Sequence, residues 1–446
     1  MTTTHRIGPL FADLYELTMA ASYFDNRIFS DATFSVFVRD TSQRNYMVAA
    51  GLEDVLRELE GFRFSKEELD YLRRTGLFSE AFITYLKDLR FTGTIYAVPE
   101  GTLFFPEEPI LEVTAPLVES QIIETFILNT IGFQTNVASK GARCIYAANG
   151  RPLVDFSLRR TQGQDAGLKV ARSTFLVGFS GTSNVLAGKQ FGLPISGTMA
   201  HSYILAFDRE IVAFSAFAET FPESSVFLID TYNTLEGARN AANVALDMQA
   251  KGYALLGVRL DSGDMVALSQ GVRRILDEAG LPGVKIYASS GFDEFEILDV
   301  IAQGAKIDAF GVGTKVGVSA DAPYLDIVYK LVRFNQRNIR KLSADKVTLA
   351  GEKQVYRRVD ENGMLKEDII GLRDDVVDNG EPLLVRVMEK GRCTHPHPVL
   401  QEIQDRFKIN FSRLPEEYKS VLNKRTFPVK LSARLKDVQK NMRRKQ

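Results

Sequence analysis

Along this chain the spacing of apolar and polar residues changes rhythm twice, near residues 150 and 330. In the first stretch Leu14, Leu17, Met19 and Ala21 make a rough helical stripe, with Asp13 placed to cap it. Residues 33–38 alternate and predict a strand, and residues 47–59 return to helical spacing. Ser65 followed by Glu68 has the capping-box spacing that opens a further helix. Pro99, Gly101, Pro106, Pro109 and Pro116 break residues 93–118 into short strand-like pieces, the pattern of a small sheet with tight turns. Residues 118–130 predict a long apolar helix leading into the next stretch.

From about 150 to 330 short apolar runs recur, each followed by a helical segment. The runs are residues 153–156, 194–197, 226–230, 255–260, 285–288 and 309–312, with helices predicted at about 202 onward, 234–249, 265–279 and 294–303. Several runs are apolar without alternation, as parallel strands covered on both faces require. Six such units fit either an open doubly wound sheet or an incomplete (β/α) barrel, and the period does not choose between them. Past 330 the rhythm is lost. Residues 346–356 predict a hairpin, 382–388 another strand, and 434–445 a basic, polar end.

Composition narrows what this scaffold does. A chain of 446 residues exceeds one ordinary core and predicts two or three domains. With 45% hydrophobic and 25% charged residues and a net charge of -1, it has the balance of a soluble globular protein. That balance offers no field for nucleic acid or an anionic membrane, so any anion site is local. The nine lysines and arginines between 424 and 445 would permit nucleic-acid contact but read as a solvated terminal helix or frayed tail. No uncharged run approaches the roughly 20 residues of a membrane helix. Asp13 and Glu16 interrupt the early apolar residues, so no signal pattern is read. Two cysteines, Cys144 and Cys393, make no disulfide framework, and a cytoplasmic location is expected.

The residues with chemistry fall just after the apolar runs, where both architectures bind ligands. Gly311-Val312-Gly313-Thr314 is a glycine-lined turn able to offer backbone N–H groups to a phosphate, and Ser289-Ser290-Gly291 adds hydroxyls one unit earlier. No Walker A or GxGxxG pattern is present. Asp261 and Asp264 flank a glycine turn; Asp264 reads as a helix cap, and Asp261 as a contact to ribose or to positive charge developing on a sugar ring. Phe156 with Arg159 and Arg160 can stack a flat ring and pair with a carboxylate, and Arg259 adds a further cation. His201 sits in the turn after Gly197-Thr198. As a residue it fits three roles: general acid or base, nucleophile, or satisfied structural histidine. His395 and His397 near Cys393 lack a fourth ligand at a zinc spacing, so zinc is not expected and no metal ligand is assigned.

Taken in order, Asp13-Leu14-Tyr15, Phe156-Ser157-Leu158-Arg159-Arg160, Gly181-Thr182-Ser183-Asn184, Gly197-Thr198-Met199-Ala200-His201-Ser202, Arg259-Leu260-Asp261-Ser262-Gly263-Asp264, Ser289-Ser290-Gly291 and Gly311-Val312-Gly313-Thr314 resemble the nicotinate phosphoribosyltransferase family over nearly the whole length. Residues 346–349 and 353–356 resemble that family's C-terminal hairpin.

The resemblance implies an irregular α/β barrel of the type II phosphoribosyltransferase kind over residues 136–332. It adds an α/β domain built from residues 1–135 and returning segments at 333–446. It also implies transfer of phosphoribose from phosphoribosyl pyrophosphate to nicotinate, coupled to ATP, with Mg²⁺ on the pyrophosphate. His201 would be the residue phosphorylated by ATP and Asp261 would support the ribose. Phe156 and Tyr15 would sandwich the pyridine ring, Tyr15 coming from a second subunit of a homodimer. Arg159, Arg160 and Arg259 would read the carboxylate or the phosphates, with Thr182 and Thr198 also against substrate. Ser290, Gly291, Gly311, Gly313 and Thr314 would hold the 5′-phosphate.

Two positions depart from the family pattern: Ala12 stands where threonine is usual, and Asp155-Phe156-Ser157 where Glu-Phe-Gly is usual. The rival readings are a nicotinamide phosphoribosyltransferase, a quinolinate phosphoribosyltransferase, and a non-catalytic nucleotide- or phosphate-binding barrel. The arginine pair favours the acid over the amide.

Overall fold

The computed structural model of the chain describes residues 7–40, 44–341 and 348–443. They form two compact units, one of residues 1–136 with 324–446 and the other of residues 137–323. His5 and residues 342–347, which hold the start of the expected hairpin, lie outside the described residues.

The first unit is built on a seven-stranded antiparallel sheet. Its order is Arg337–Asn338, Ile327–Phe334, Asp31–Val38, Pro109–Pro116, Thr94–Ala97, Val385–Glu389, Arg392–Cys393. Strands from both ends of the sequence thus share one ladder, as the resemblance implied. Asp31–Val38 is central, so its residues beyond Asp31 are buried on both faces despite their alternating chemistry. The helix expected from 47 instead begins at Leu52. Gly51 has φ +93°, and a Cβ there would lie 2.8 Å from the Thr130 carbonyl oxygen, so the turn needs glycine and breaks the helical stripe. Met47–Val48 becomes a short strand. The capping box at Ser65 forms as expected. After the undescribed stretch, Lys353–Val359 pairs with Leu365–Leu372 in a second, four-stranded sheet. The last helix, Ala433–Arg443, is the basic end.

The second unit is a curled parallel sheet. Its strand order is Gly181–Thr182, Leu153–Asp155, Ala309–Val312, Lys285–Ala288, Gly257–Leu260, Val226–Leu228. The last strand in sequence pairs with the first, and the others follow one another around it, which is barrel connectivity rather than a doubly wound sheet. The run at 194–197 forms no strand; Ile195 makes a single parallel bridge to Thr182. The ring is therefore open between Ile195 and Val226.

Thr234–Ala250, Met265–Glu278 and Glu294–Ala302 cover the outer face within a residue of their expected ends. Phe227, Leu228, Val258, Leu260 and Ile286 are fully buried under the small face of Ala238, Ala241 and Ala245. Each large side chain so buried contributes roughly 1.5–3 kcal/mol, which fixes the strand ends on which the loops stand.

Candidate active site

Every strand of the parallel sheet ends at the same rim, and the turns of interest hang from it. Leu153–Asp155 delivers Asp155, whose carboxylate accepts from Ser157 N at 2.9 Å and from Thr182 Oγ1 at 2.7 Å. Burial raises the Asp155 pKa and these hydrogen bonds oppose the rise. Thr182 is itself buried, and its oxygen also accepts from Asn184 N at 3.0 Å. Its hydroxyl is thus spent on bracing Asp155. Phe156, half-buried, lies against the strand carrying Gly311, where a Cβ would stand 2.5 Å from two carbons of the ring. The 3₁₀ turn Leu158–Arg160 then presents Arg159 and Arg160 to solvent.

On the far side of the ring Gly257–Leu260 carries Arg259. Its guanidinium donates to Thr198 Oγ1, while its Nε is buried with no protein partner. Burial lowers the Arg259 pKa; Asp261 and Asp230 counter this, and Arg159 adds to it. Two guanidinium groups therefore share one field at the rim, with an N–H left over for an acceptor.

His201 opens the short helix His201–Leu205. Its Nδ1 is 3.1 Å from Thr231 Oγ1, and its Nε2 lies 3.9 Å from Asp261 Oδ2. The other Asp261 oxygen accepts from Ser289 Oγ, and its backbone N–H donates to Asp230 Oδ2 at 2.9 Å. Ser262 Oγ donates to the same Asp230 oxygen at 2.7 Å, leaving Asp230 Oδ1 buried and unpartnered. Asp264 caps Met265–Glu278, accepting from Val266 N and Ala267 N at 3.0 Å each.

Asp230 and Thr231 were not singled out from the sequence. Their signal was the one used elsewhere, a polar residue closing an apolar run at 226–230. They set the histidine and the aspartate from a single turn.

In the next turn Ser290 (φ +83°) and Gly291 (φ +73°) both take the left-handed conformation. A non-glycine residue held there costs of order 1–3 kcal/mol, and such strain gathers at ligand sites. The space beside Gly291 is open to 4 Å. Gly313 and Thr314 close the series at the start of Thr314–Gly317. Tyr15 alone of the expected residues stands in the other unit, on the first turn of Leu14–Asp25 and 45% exposed. Among the described residues no group of three or more His, Cys, Asp or Glu side chains converges as a metal cage, and no helix is long and apolar enough to cross a membrane.

The rim of this parallel barrel thus gathers Arg159 and Arg259, a carboxylate beside a histidine, and a strained glycine turn, an arrangement suited to an anionic ligand. Sequence comparison is specific. The N-terminal domain model of nicotinate phosphoribosyltransferase matches residues 10–132, the family's central model residues 152–361, and its C-terminal domain model residues 377–439. A nicotinate phosphoribosyltransferase of Mycobacterium tuberculosis is 44% identical over 438 residues, covering 98% of this chain and 94% of the relative. One from Bacillus subtilis is 40% identical over 455 residues, covering 95% and 92%. The structure of human nicotinic acid phosphoribosyltransferase superposes with a TM-score of 0.87 at 28% identity, covering 96% of this chain and 99% of that one. The chain belongs to the nicotinate phosphoribosyltransferase family.

Proposed function

We propose that this rim joins nicotinate to the phosphoribosyl group of phosphoribosyl pyrophosphate, forming nicotinate mononucleotide and pyrophosphate in the salvage of nicotinate for NAD. The observation that carries the reading is Arg259: a half-buried cation beside Arg159, with a buried N–H that no protein atom accepts. Such a group calls for an anion, and a carboxylate on a flat ring stacked over Phe156 supplies one. An amide brings no charge, which sets nicotinamide aside.

The pyridine nitrogen attacks C1 of the ribose as the C1–O bond to pyrophosphate breaks. Asp261 lies where it can balance the oxocarbenium character of that carbon. Its tie to Ser289 and the Asp230 contact to its backbone hold it there before substrate arrives. Ser290, Gly291, Gly313 and Thr314 receive the 5′-phosphate. Gly311 serves as the floor of the aromatic slot, and Thr182 as the brace of Asp155.

ATP acts through His201. In the tautomer that donates Nδ1–H to Thr231 Oγ1, 3.1 Å away, the lone pair of Nε2 is left to take the γ-phosphoryl group, and ADP departs. When bound, Mg²⁺ would supply positive charge to the leaving pyrophosphate. The donors at hand, Asp230 Oδ1 and Asp261, are the hard oxygens that ion prefers, and two of them suit an ion that arrives on the pyrophosphate. Tyr15, exposed on its own unit, closes the slot from a second copy in a homodimer. The free thiols of Cys144 and Cys393 suit the cytoplasm.

The test is mononucleotide formation followed by mass, from phosphoribosyl pyrophosphate and Mg²⁺ with nicotinate or nicotinamide, each with and without ATP. Nicotinate mononucleotide enhanced by ATP is expected. Nicotinamide mononucleotide overturns the reading of the arginines, and no product from either leaves a binding protein.

A further inference from the structure

The helix Glu124–Ala147 carries a lysine into the interior of the second unit. Lys140 has no solvent exposure, and its Nζ lies 2.5 Å from Glu294 Oε2, 2.9 Å from Asp293 Oδ2 and 3.1 Å from Asp321 Oδ1. One turn on, Arg143 Nε is 2.7 Å from Glu294 Oε1. Burial works to lower the Lys140 pKa, but Glu294 and Asp321 more than offset it, so the ammonium stays charged. A buried cluster of this kind is weak as a source of stability, because well-packed apolar side chains would fill the space as well.

Its geometry suggests what it does instead. Asp293 stands two residues beyond Gly291, and its second oxygen caps Glu294–Ala302 by accepting from Phe295 N at 3.0 Å. Asp321 stands four residues beyond Thr314–Gly317. One ammonium therefore grips the segments that leave both phosphate turns. A second clasp, Lys315 to Glu296, joins the helices that follow those turns.

We propose that Lys140 is a positioning residue for the 5′-phosphate: through Asp293 and Asp321 its ammonium sets the distance between the 289–291 turn and the 313–314 turn. This rests on the phosphate reading given above. The strained Ser290 is held by the same grip, since the chain leaving it is fixed within three residues.

Four variants separate the outcomes. Asp321→Asn keeps the fold's volume and removes one arm of the grip. It is expected to raise the KM for phosphoribosyl pyrophosphate and the Kd for ribose 5-phosphate about 3- to 30-fold, with the nicotinate KM unchanged. Lys140→Met is expected to do the same more strongly, and Lys140→Arg to recover part of the loss. A fall in kcat or in active fraction, with both KM values unchanged in Asp321→Asn and Lys140→Met, overturns the inference and leaves a purely structural cluster. Gly291→Val tests the turn itself. If it leaves the phosphoribosyl pyrophosphate KM untouched, the phosphate reading fails and this inference with it. If it raises that KM while the other two do not, only the role of Lys140 fails.

Discussion

Gly311→Ala separates two uses of one glycine. In the strand Ala309–Val312 the hydrogen of Gly311 faces the Phe156 ring, and a methyl there would come 2.5 Å from Cδ2 and Cε2, with Ser289 Cβ 3.3 Å away. Carbon atoms rest at about 3.5–4.0 Å, so the ring must retreat by roughly 1 Å. Ser289 crowds the same methyl, and on the proposed binding mode the ring's retreat is into the slot meant for the pyridine. Overpacking of this size costs about 1–3 kcal/mol. At 1.4 kcal/mol per factor of ten, that is about 5- to 150-fold in nicotinate affinity if the strain is released only by losing the stack. The assay is steady-state kinetics with each substrate varied in turn, alongside thermal unfolding. The expected result is a raised nicotinate KM, an unchanged KM for phosphoribosyl pyrophosphate and a Tm within a few degrees of the parent. A raised phosphoribosyl pyrophosphate KM with normal nicotinate kinetics would falsify the slot-floor role and return Gly311 to the phosphate site.

Other expectations follow from the same geometry. His201→Ala abolishes ATP hydrolysis coupled to transfer but leaves some ATP-independent mononucleotide formation; full ATP hydrolysis in that variant refutes the phosphohistidine. Arg159→Ala removes one charged partner of the carboxylate, worth about 1.5–3 kcal/mol, so preference for nicotinate over nicotinamide falls about 10- to 150-fold; competition between the two substrates measures it, and an unchanged ratio counts against the assignment. Glu16 is fully buried, and burial lifts its pKa to about 7 against the pull of its Thr125 hydrogen bonds, with Glu124 and Asp13 adding to the rise. The native state then holds this proton where the unfolded chain has lost it. Stability is expected to fall as pH climbs from the unfolded carboxyl range, about 4.3, to about 7. Glu16→Gln flattens that slope in Tm, and an equally steep slope in the variant sinks the idea.

The sequence made most of the barrel legible because its strands are mostly apolar runs and its helices carry caps such as Asp264 and Asp293. It misled at 194–197, where a single isoleucine between proline and Ser196-Gly197 reads as a strand end, and it hid Gly181–Thr182, two residues long and without any period to read. Of the site, the turns drew notice because glycine, serine and aspartate gather just past successive apolar runs, although the same residue types also serve as ordinary turns and caps, as Asp264 does. Lys140 gave no such sign. A lone lysine in a mostly apolar helix reads as a solvated face, and only the fold brings Asp293, Glu294 and Asp321 around it. Thr182 and Gly311 were read from the sequence as substrate and phosphate contacts; that Thr182 hydrogen-bonds Asp155 and Gly311 abuts the Phe156 ring needed coordinates.

The gap in the strand ring has an engineering consequence. Val226–Leu228 has a strand neighbour on one side only, and the segment bearing His201 spans the opening. An insertion at an open seam disturbs no ladder, so the histidine-bearing segment is separable in a way that Asp261, clamped between paired strands, is not. In the function proposed above, ATP coupling would sit on this segment at the open edge of the strand ring. A chimaera that exchanges residues 201–225, and so keeps the Thr198 contact to Arg259, is the route to an enzyme of this family in which the proposed dependence on ATP is reset.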